Sequence, residues 1–344
     1  MNLHFDSMKN KREDTKNMNM GNIKISIIIP TYNGVDNIET AVQSALLQTF
    51  SDTEIIVVDD NGLGSNGQIA TEQRLKKYIE QQRIIYICHE SNKGGSAARN
   101  TGAKNSTGKY IAFLDDDDVL LPQMIEKQVE KLEEADNSVG MSVCSGYYVH
   151  YNGVGYCRYL IDSRNMLFDY LLDKQYFNTS TIVVRKAVFD ELSGFDESFI
   201  RHQDWEFCVR LLSRYSANIV REPLIIRYMS VGRSSRKCDD LVQYLDYFFE
   251  KMDNVFKKSL AENDYARVKL YKYSELAVGQ YIERKFIEGF KVLLNRGFGI
   301  KGILFSMLGL WKRVFNKLIR GRKKRCASYK ETMDKLNSQE AEIL

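Results

Sequence analysis

The sequence lacks the features that mark several classes of non-globular protein. Its 344 residues include only three prolines, while hydrophobic residues make up 44% and charged residues 27% of the chain. These proportions are typical of a folded globular protein and exclude a disordered or fibrous one. No internal repeat of fixed period is visible, whereas a solenoid would show one.

Paired cysteines and long apolar runs are also missing. The six cysteines form no C-x-x-C pair, and no secretory signal precedes them. The sequence therefore predicts a reducing, cytoplasmic location. The uncharged run from Gly302 to Trp311 is too short to span a bilayer, which takes roughly 20 apolar residues.

Acidic residues are absent from residues 301–325, which hold nine lysines and arginines although the net charge of the whole chain is only +4. Apolar residues accompany these cations over residues 299–325. This pattern predicts a basic amphipathic helix that lies on an anionic membrane, such as the inner face of the plasma membrane. A helix packed on the protein core, or an oligomer interface, explains the same pattern. We expect no nucleic acid among the partners.

Short apolar runs alternate with helical stretches after residues 1–21, which are polar and predict a flexible tail. Such runs are typical of buried parallel strands in an α/β fold with a mostly parallel central sheet flanked by helices. The sequence predicts strands at four places: 25–32, 54–60, 83–89 and 110–116. In these sheets ligands bind beyond the carboxyl ends of the strands.

Helix signals lie between and after these strands. Asp36 and Glu39 resemble an acidic capping box for a helix that ends near Gln48, and Pro122 suits the first turn of another helix. Beyond Val139 the pattern is mixed, and from Asp239 onward it is helical. The mixed part contains apolar runs at 139–149, 179–189 and 218–229, and short helices near 165–174 and 204–215.

Four adjacent carboxylates, Asp115 to Asp118, directly follow the apolar strand YIAFL. They repel one another unless solvent or a cation compensates their charge. A divalent cation is one solution, and hard oxygen ligands favour Mg²⁺ or Mn²⁺. A solvated acidic turn that caps the next helix is the other interpretation.

Other polar groups are predicted at the same edge of the sheet. Asp59 and Asp60 end the second strand, where a carboxylate accepts the imide N–H of a uracil or caps a loop. Arg99 presents a fork of donors to the acids or to phosphate oxygens. The first strand ends in backbone groups and an aromatic side chain that suit a nucleotide base, although such residues also form turns: Pro30, Thr31, Tyr32 and Asn33.

Taken together, these segments resemble the family 2 glycosyltransferases, which have the GT-A fold. The matching motifs cover residues 23–232, and their joint order and spacing are specific although each alone is weak. In chain order they are SIIIPTYNG, EIIVVDDNG, NKGGSAARNTG, GKYIAFLDDDD, GFDESFIRHQDWEFCVRL and PLIIRYM. The resemblance implies a catalytic domain at 22–235, a helical region at 236–325 and a polar tail at 326–344.

The resemblance also implies roles for individual residues. Thr31 and Tyr32 lie near the base and ribose, Asp59 reads uracil with Asp60 beside it, and Arg99 braces the nucleotide-binding acids. Asp115 and Asp117 are the outer members of a D-x-D motif that contacts ribose and metal, with Asp116 between them. Asp118 has no assigned role.

The acceptor hydroxyl must lose its proton as it attacks the anomeric carbon, so a base is required. In the family this base follows a G-F-D-E block, and the matching residue is Asp204, which would otherwise be a helix cap. Glu206 matches the motif less well. Two departures from the family pattern are Gln203, where many members have an acid, and the absence of a histidine after the late strand, which makes metal binding depend on the donor diphosphate.

The predicted activity is inverting transfer of a sugar from a nucleoside diphosphate, with UDP favoured, to a hydroxyl of a glycan or lipid-linked acceptor. Synthesis of cell-surface polysaccharide is the implied context. A nucleotidyltransferase also needs paired acids on an α/β sheet, but PTYNG is not its glycine-rich phosphate loop. A non-catalytic module that binds nucleotide sugars remains the non-enzymatic alternative.

Overall fold

The computed structural model describes residues 24–150, 155–229 and 238–320. The predicted tails at 1–21 and 326–344 lie outside these residues.

A nine-stranded sheet forms the centre of the molecule. Its strands are β1 Ile25–Thr31, β2 Thr53–Asp59, β3 Ile85–Cys88, β4 Tyr110–Phe113, β5 Asp118–Leu120, β6 Val139–His150, β7 Gly155–Arg158, β8 Ile182–Arg185 and β9 Ser216–Met229. The strand order is β3-β2-β1-β4-β8-β6-β9-β5, with β7 paired to β6.

The first four strands are parallel, as the alternation of apolar runs and helices predicts. Every residue of β1 is buried, because helices cover both faces of this part of the sheet. The rest of the sheet is mixed. Strands β8 and β5 run antiparallel to their neighbours, whereas β6 and β9 are parallel to each other.

Eleven helices belong to the described residues, and they cover the sheet on both faces. The apolar run at 179–189 divides into a short 3-10 helix at Thr179–Thr181, strand β8 and helix α6. The helices are α1 Ile38–Leu46, α2 Asn66–Glu80, α3 Gly95–Lys104, α4 Met124–Glu133, α5 Met166–Leu171, α6 Lys186–Glu191, α7 Gln203–Leu212, α8 Cys238–Ser259, α9 Glu262–Ile282, α10 Phe286–Leu294 and α11 Gly299–Arg320.

Two predicted helix starts are wrong. The residue that caps α1 is Asn37, without a side-chain hydrogen bond, and Glu39 instead forms an ion pair with Lys77 from α2 at 2.7 Å. The expected capping box at Asp36 and Glu39 therefore does not form, because Glu39 makes a tertiary contact instead. Pro122 precedes α4 rather than entering its first turn, because its carbonyl accepts the amide of Thr49.

The C-terminal helices share a hydrophobic core with the sheet. Phe248 and Phe256 of α8 and Val268 of α9 are buried in the same cluster as Phe113 of β4 and Phe207 of α7. Helix α7 therefore packs against both the sheet and the C-terminal helices. Within the described residues, no helix is both long enough and apolar enough to cross a membrane.

Candidate active site

A cavity of about 440 Å³ opens at the carboxyl ends of β1, β2 and β4. Strand polarity brings these ends to one edge of the sheet, and the side chains that follow each strand face one another there. Most residues predicted for the site line this cavity: Pro30, Thr31, Tyr32, Asp60, Arg99, Asp115, Asp116 and Asp117. Two other predicted residues, Asn33 and Asp59, are described in the structure but do not line this cavity.

Asp59 lies fully buried beneath the cavity, where neighbouring side chains hold it. Its Oδ1 accepts the backbone and side-chain N–H groups of Asn61, each at 2.8 Å, and its Oδ2 accepts the hydroxyl of Tyr86 at 2.6 Å. Asn33 adopts a left-handed conformation with φ of 54° and donates its amide to the side chain of Asn61. The structure thus links Asp59 to the turn after β1 through Asn61.

Asp60 organises the turn that enters α3. Its carboxylate accepts the side chains of His89 and Asn92 and the backbone amides of Lys93 and Gly94, at 2.7–2.9 Å. Gly94 has φ of 90°, a conformation that side chains rarely adopt, and this brings its amide to the carboxylate. Both oxygens of Asp60 are therefore engaged at the cavity wall.

The acidic segment after β4 divides into residues with different environments. Asp116 is buried and accepts the hydroxyl of Thr31 at 2.7 Å, which joins the ends of β1 and β4. Asp115, Asp117 and Asp118 each offer an oxygen within 4.8 Å of the others. The sequence predicts Asp115 and Asp117 as metal ligands, and the structure adds Asp118 to that group.

The acidic trio fits a hard divalent cation. Oδ1 of Asp118 is buried and accepts no hydrogen bond. Burial and the charge of Asp115 raise the pKa of Asp118 well above its usual value, so its ionised form lacks sufficient compensation. Oxygen ligands of this kind, grouped this closely, are those that Mg²⁺ and Mn²⁺ prefer.

Arg227 of β9 supplies a protein cation beside the trio. The antiparallel register of β5 and β9 places Arg227 directly opposite Asp118, with Nε of the arginine 4.0 Å from Oδ1 of the aspartate. Burial lowers the pKa of Arg227, but Asp118 and Asp115 outweigh this effect and raise it. Where the family pattern predicts a histidine beyond β9, this chain thus brings an arginine from β9 itself.

Arg99 connects the acidic trio to the start of α7. Its Nη2 donates to Oδ1 of Asp115 at 2.6 Å, and its Nη1 donates to the side chain of Gln203 at 3.0 Å. Burial raises the pKa of Asp115, but Arg99, Arg227 and a hydrogen bond from Thr179 hold it below its usual value. Gln203 also donates to the carbonyl of Phe199, so the amide at this departure from the family pattern bridges two parts of the site.

Asp204 lines a second, smaller cavity of about 210 Å³. The residue that caps α7 is His202, with φ of 60°, so Asp204 lies inside the first turn and is not the cap. Its Oδ1 accepts the amide of Trp205 at 3.0 Å. Burial raises the pKa of Asp204 against the opposing charges of Arg227 and Arg99, which is the direction that suits a general base.

Glu206, the weaker candidate for the base, is engaged elsewhere. It is buried and forms a bidentate ion pair with Arg210, whose guanidinium also donates to the carbonyl of Gly194 at 2.7 Å. This arrangement ties the GFDE loop to α7. Of the two acids, only Asp204 lines the cavities at the sheet edge.

The site contains residues that the motifs do not identify. Ser180 donates to Asp118 at 2.6 Å and accepts the amide of Asp115, Thr179 donates to Asp115, and Arg201 lines both cavities. A charged residue inside the apolar run PLIIRYM is the sequence signal that identifies Arg227. No comparable signal marks Arg201, because its position depends on the loop before α7.

This arrangement brings together the groups that displacement of a diphosphate requires. Asp115, Asp117 and Asp118 form an anionic pocket for a cation, Arg99 and Arg227 add positive charge, and Asp204 offers a carboxylate across the second cavity. Charge that develops on a leaving group is stabilised by such fixed cations.

Comparison with known proteins agrees with this chemistry. The family model "Glycosyl transferase family 2" matches residues 26–192. An uncharacterised glycosyltransferase of Methanocaldococcus jannaschii is 30% identical over 61% of this chain and 72% of its own length. The amylovoran biosynthesis glycosyltransferase AmsB of Erwinia amylovora is 26% identical over 74% of this chain and 84% of its own length. An uncharacterised glycosyltransferase of Rickettsia conorii is 43% identical over 33% of this chain, which spans only 18% of that relative.

Solved structures show the same fold. S. aureus TarS in complex with UDP-GlcNAc superposes with a TM-score of 0.55 at 17% identity, over 80% of this chain and 92% of TarS 1-349. The mannosyltransferase PcManGT of Pyrobaculum calidifontis, in complex with GDP-Man and Mn²⁺, gives a TM-score of 0.55 at 15% identity, over 89% and 84% of the two chains. The sheet is therefore a GT-A fold, and the chain belongs to glycosyltransferase family 2.

Proposed function

We propose that this enzyme transfers a sugar from a UDP-sugar to an acceptor hydroxyl with inversion, and that Asp204 is its general base. The observation that carries the proposal is the shared wall of the two cavities. Arg99, Asp115, Arg201 and Arg227 line both the large cavity and the cavity of Asp204. A donor in the first cavity and an acceptor hydroxyl in the second thus meet at the same residues.

Asp204 receives the proton of the acceptor hydroxyl as that oxygen attacks the anomeric carbon. Its raised pKa makes the carboxylate a stronger proton acceptor than an exposed aspartate. Arg99 and Arg227 lie on the donor side, where their fixed charges offset the charge that develops on the departing diphosphate. One displacement of this kind inverts the anomeric centre and needs no covalent nucleophile.

We infer that Asp115, Asp117 and Asp118 hold Mg²⁺ or Mn²⁺ when the donor binds, and this cation supplies further positive charge for the diphosphate. Arg227 already neutralises part of the trio in the protein alone. Because the protein cation competes for the same carboxylates, we expect tight metal binding only when the diphosphate adds its own oxygens.

The related proteins support the proposed donor and acceptor classes. TarS binds UDP-GlcNAc and PcManGT binds GDP-Man, so both nucleotides occur on this fold. We favour UDP from the sequence resemblance. The likeness to the amylovoran biosynthesis enzyme supports a glycan or lipid-linked acceptor in cell-surface polysaccharide synthesis.

A donor screen tests this assignment. Thermal unfolding is measured with UDP-, GDP- and dTDP-sugars, each with and without Mn²⁺, followed by detection of released nucleoside diphosphate. We expect the largest rise in Tm with a UDP-sugar and Mn²⁺ together, since ligand binding stabilises the native state by mass action. A rise with GDP-sugars alone overturns the choice of UDP.

We also propose that α11 rests on an anionic membrane. Residues at helical spacing form an exposed apolar stripe on its outer side, with exposed fractions between 46% and 75%: Ile300, Leu304, Met307, Leu308 and Trp311. The opposite side packs on the protein, where Ser306 is buried and bonds to Tyr281. A stripe of this kind suits the interface of an anionic bilayer, and the sequence over residues 301–325 supplies the nine basic residues that such a surface attracts.

Flotation with phosphatidylglycerol vesicles tests this contact. The double variant Leu304→Ser and Leu308→Ser removes apolar area from the stripe, so we expect about tenfold weaker vesicle binding. Leu294→Ser changes an exposed leucine of α10 and is the matched control. Vesicle binding by the double variant at the wild-type level, or a wild-type dimer that the double variant dissociates, contradicts the proposal.

A further inference from the structure

A third cavity, of about 380 Å³, lies between the loop before α7 and helix α8. Its wall consists of Ser198, Phe199, Ile200, Arg201, Gln243, Tyr244 and Tyr247. Three of these residues belong to α8, and all seven lie beyond residues 26–192, which the family model matches. This cavity is therefore built partly by the chain's own C-terminal region.

The three cavities form a continuous series. Arg201 lines all of them, and Ile200 lines both the cavity of Asp204 and the third cavity. The order is the donor cavity, then the base, then the third cavity. A path from Asp204 toward α8 therefore passes Ile200 and Arg201.

The wall of the third cavity combines aromatic faces with hydrogen-bonding groups. Tyr247 donates its hydroxyl to Ser198 at 2.8 Å, and its ring centroid lies 5.1 Å from that of Phe199. Tyr244 lies three residues earlier on the same side of α8, next to the exposed amide of Gln243. A pyranose has apolar C–H faces and a polar rim, so it suits a wall of aromatic, amide and guanidinium groups.

The wall is held in a fixed position relative to the base. Phe248 of α8 is buried, with its ring centroid 5.9 Å from that of Trp205 and 6.3 Å from that of Phe199. Trp205 directly follows Asp204, and Lys272 of α9 packs over its indole ring at 3.6 Å. Helix α8 and the start of α7 thus pack directly against each other.

We propose that the third cavity is an acceptor subsite, which binds the sugar next to the one that carries the attacking hydroxyl. The proposal rests on the assignment of Asp204 as the base, because that residue fixes where the hydroxyl lies. It commits to a glycan rather than an alkyl chain, since the cavity presents hydrogen-bonding groups along its length. Helix α8 then contributes to the choice of acceptor.

Binding of free disaccharides to the enzyme saturated with UDP and Mn²⁺ tests the subsite without requiring turnover. The probes are maltose, cellobiose, lactose and N,N′-diacetylchitobiose, measured by saturation-transfer NMR and calorimetry. We expect at least one disaccharide to bind, and Tyr244→Ala to weaken that binding at least fivefold. Affinity for UDP should stay within twofold. Tyr159→Ala removes an exposed tyrosine away from the three cavities and is the matched control.

Three results overturn the subsite. The first is that no disaccharide binds saturably to the wild-type enzyme, and the second is that the Tyr244→Ala and Tyr159→Ala variants bind disaccharide equally. The third is that octyl glucoside receives saturation from the protein on its alkyl chain but not on its sugar ring. If Tyr244→Ala is poorly folded, Tyr244→Leu keeps the apolar volume and loses the ring, and the same fivefold loss is expected. Full turnover by Asp204→Asn contradicts the assignment of Asp204 as the base, whereas loss of disaccharide binding contradicts the subsite. The two measurements are independent, so failure of one hypothesis is distinguishable from failure of the other.

Discussion

The donor side and the base side of this active site are built in different ways. On the donor side, Asp59, Asp60 and Asp116 each accept hydrogen bonds from neighbouring groups and help to shape the turns at the strand ends. On the base side, Asp204 accepts one hydrogen bond, from the backbone amide of Trp205, and burial raises its pKa. Hydrogen-bonded acids stabilise the fold, whereas acids with raised pKa values retain chemical reactivity.

Replacement of Asp204 gives the largest expected effect on catalysis. Asp204→Asn keeps the shape of the side chain but removes the proton acceptor, so kcat should fall by about 10²- to 10⁴-fold. UDP affinity should change little, because Asp204 does not line the donor cavity. UDP release and UDP binding are measured on the same preparations. The matched control is Asp162→Asn, at an exposed aspartate, and wild-type turnover by Asp204→Asn shows that another group is the base.

The pH profile should identify the same residue. Because burial raises the pKa of Asp204, kcat/KM should fall about tenfold per pH unit below that pKa, which lies above the 3.8 of an ordinary aspartate. Burial, with Arg201 and Lys272, lowers the pKa of His202 to about 4, so this histidine is largely neutral above that pH. His202→Asn should preserve the acid limb, and loss of the limb in this variant would reassign it.

Replacement of Asp60 should affect stability rather than chemistry. Asp60→Ala leaves the N–H donors of Lys93, Gly94 and Asn92 without their buried acceptor. We expect the free energy of unfolding to fall by about 3 kcal/mol, measured by urea denaturation. Asp204→Asn should change stability little in the same assay, since it removes a partly buried charge and keeps the shape of the side chain. Equal losses of stability for both variants would remove the distinction between the two sides.

Replacement of Arg227 tests the role of a residue that lines both the donor cavity and the cavity of Asp204. Arg227→Gln removes the cation opposite Asp118 while its length is partly kept, and we expect kcat/KM to fall about 10- to 100-fold. The apparent affinity for Mn²⁺ without donor should rise, because the trio loses its competing charge. Arg221→Gln lies on the same strand but is exposed, and it serves as the control. Weaker Mn²⁺ binding in Arg227→Gln would contradict this interpretation.

The donor side could largely be predicted from the sequence. Strands β1 to β4 are continuous apolar runs, and polar residues directly follow each run. The parallel direction then brings Thr31, Asp60 and Asp115 to one edge without further information. The predicted capping box at Asp36 and Glu39 was wrong because Glu39 pairs with Lys77 of another helix. No local sequence pattern reveals that contact.

The base side required the tertiary structure. The motif identifies Asp204, but its burial depends on packing, and so does its separation from Glu206, which Arg210 engages. The position of Arg227 depends on an antiparallel register between β5 and β9, which are more than 90 residues apart in the chain. Register between distant strands is set by the whole sheet and by the helices that cover it.

The sequence by itself determined the family, the parallel part of the sheet and the acidic segment that follows β4. These features depend on local order along the chain, where the period of apolar residues and the residues at strand ends carry the information. Only the tertiary structure decided that an oxygen of Asp118 lies within 4.8 Å of oxygens of Asp115 and Asp117, that Arg227 lies opposite Asp118 and that α8 borders the third cavity. The contact of Arg227 with Asp118 and the contact of α8 with the loop before α7 join segments that are distant in sequence, so no local pattern reveals them.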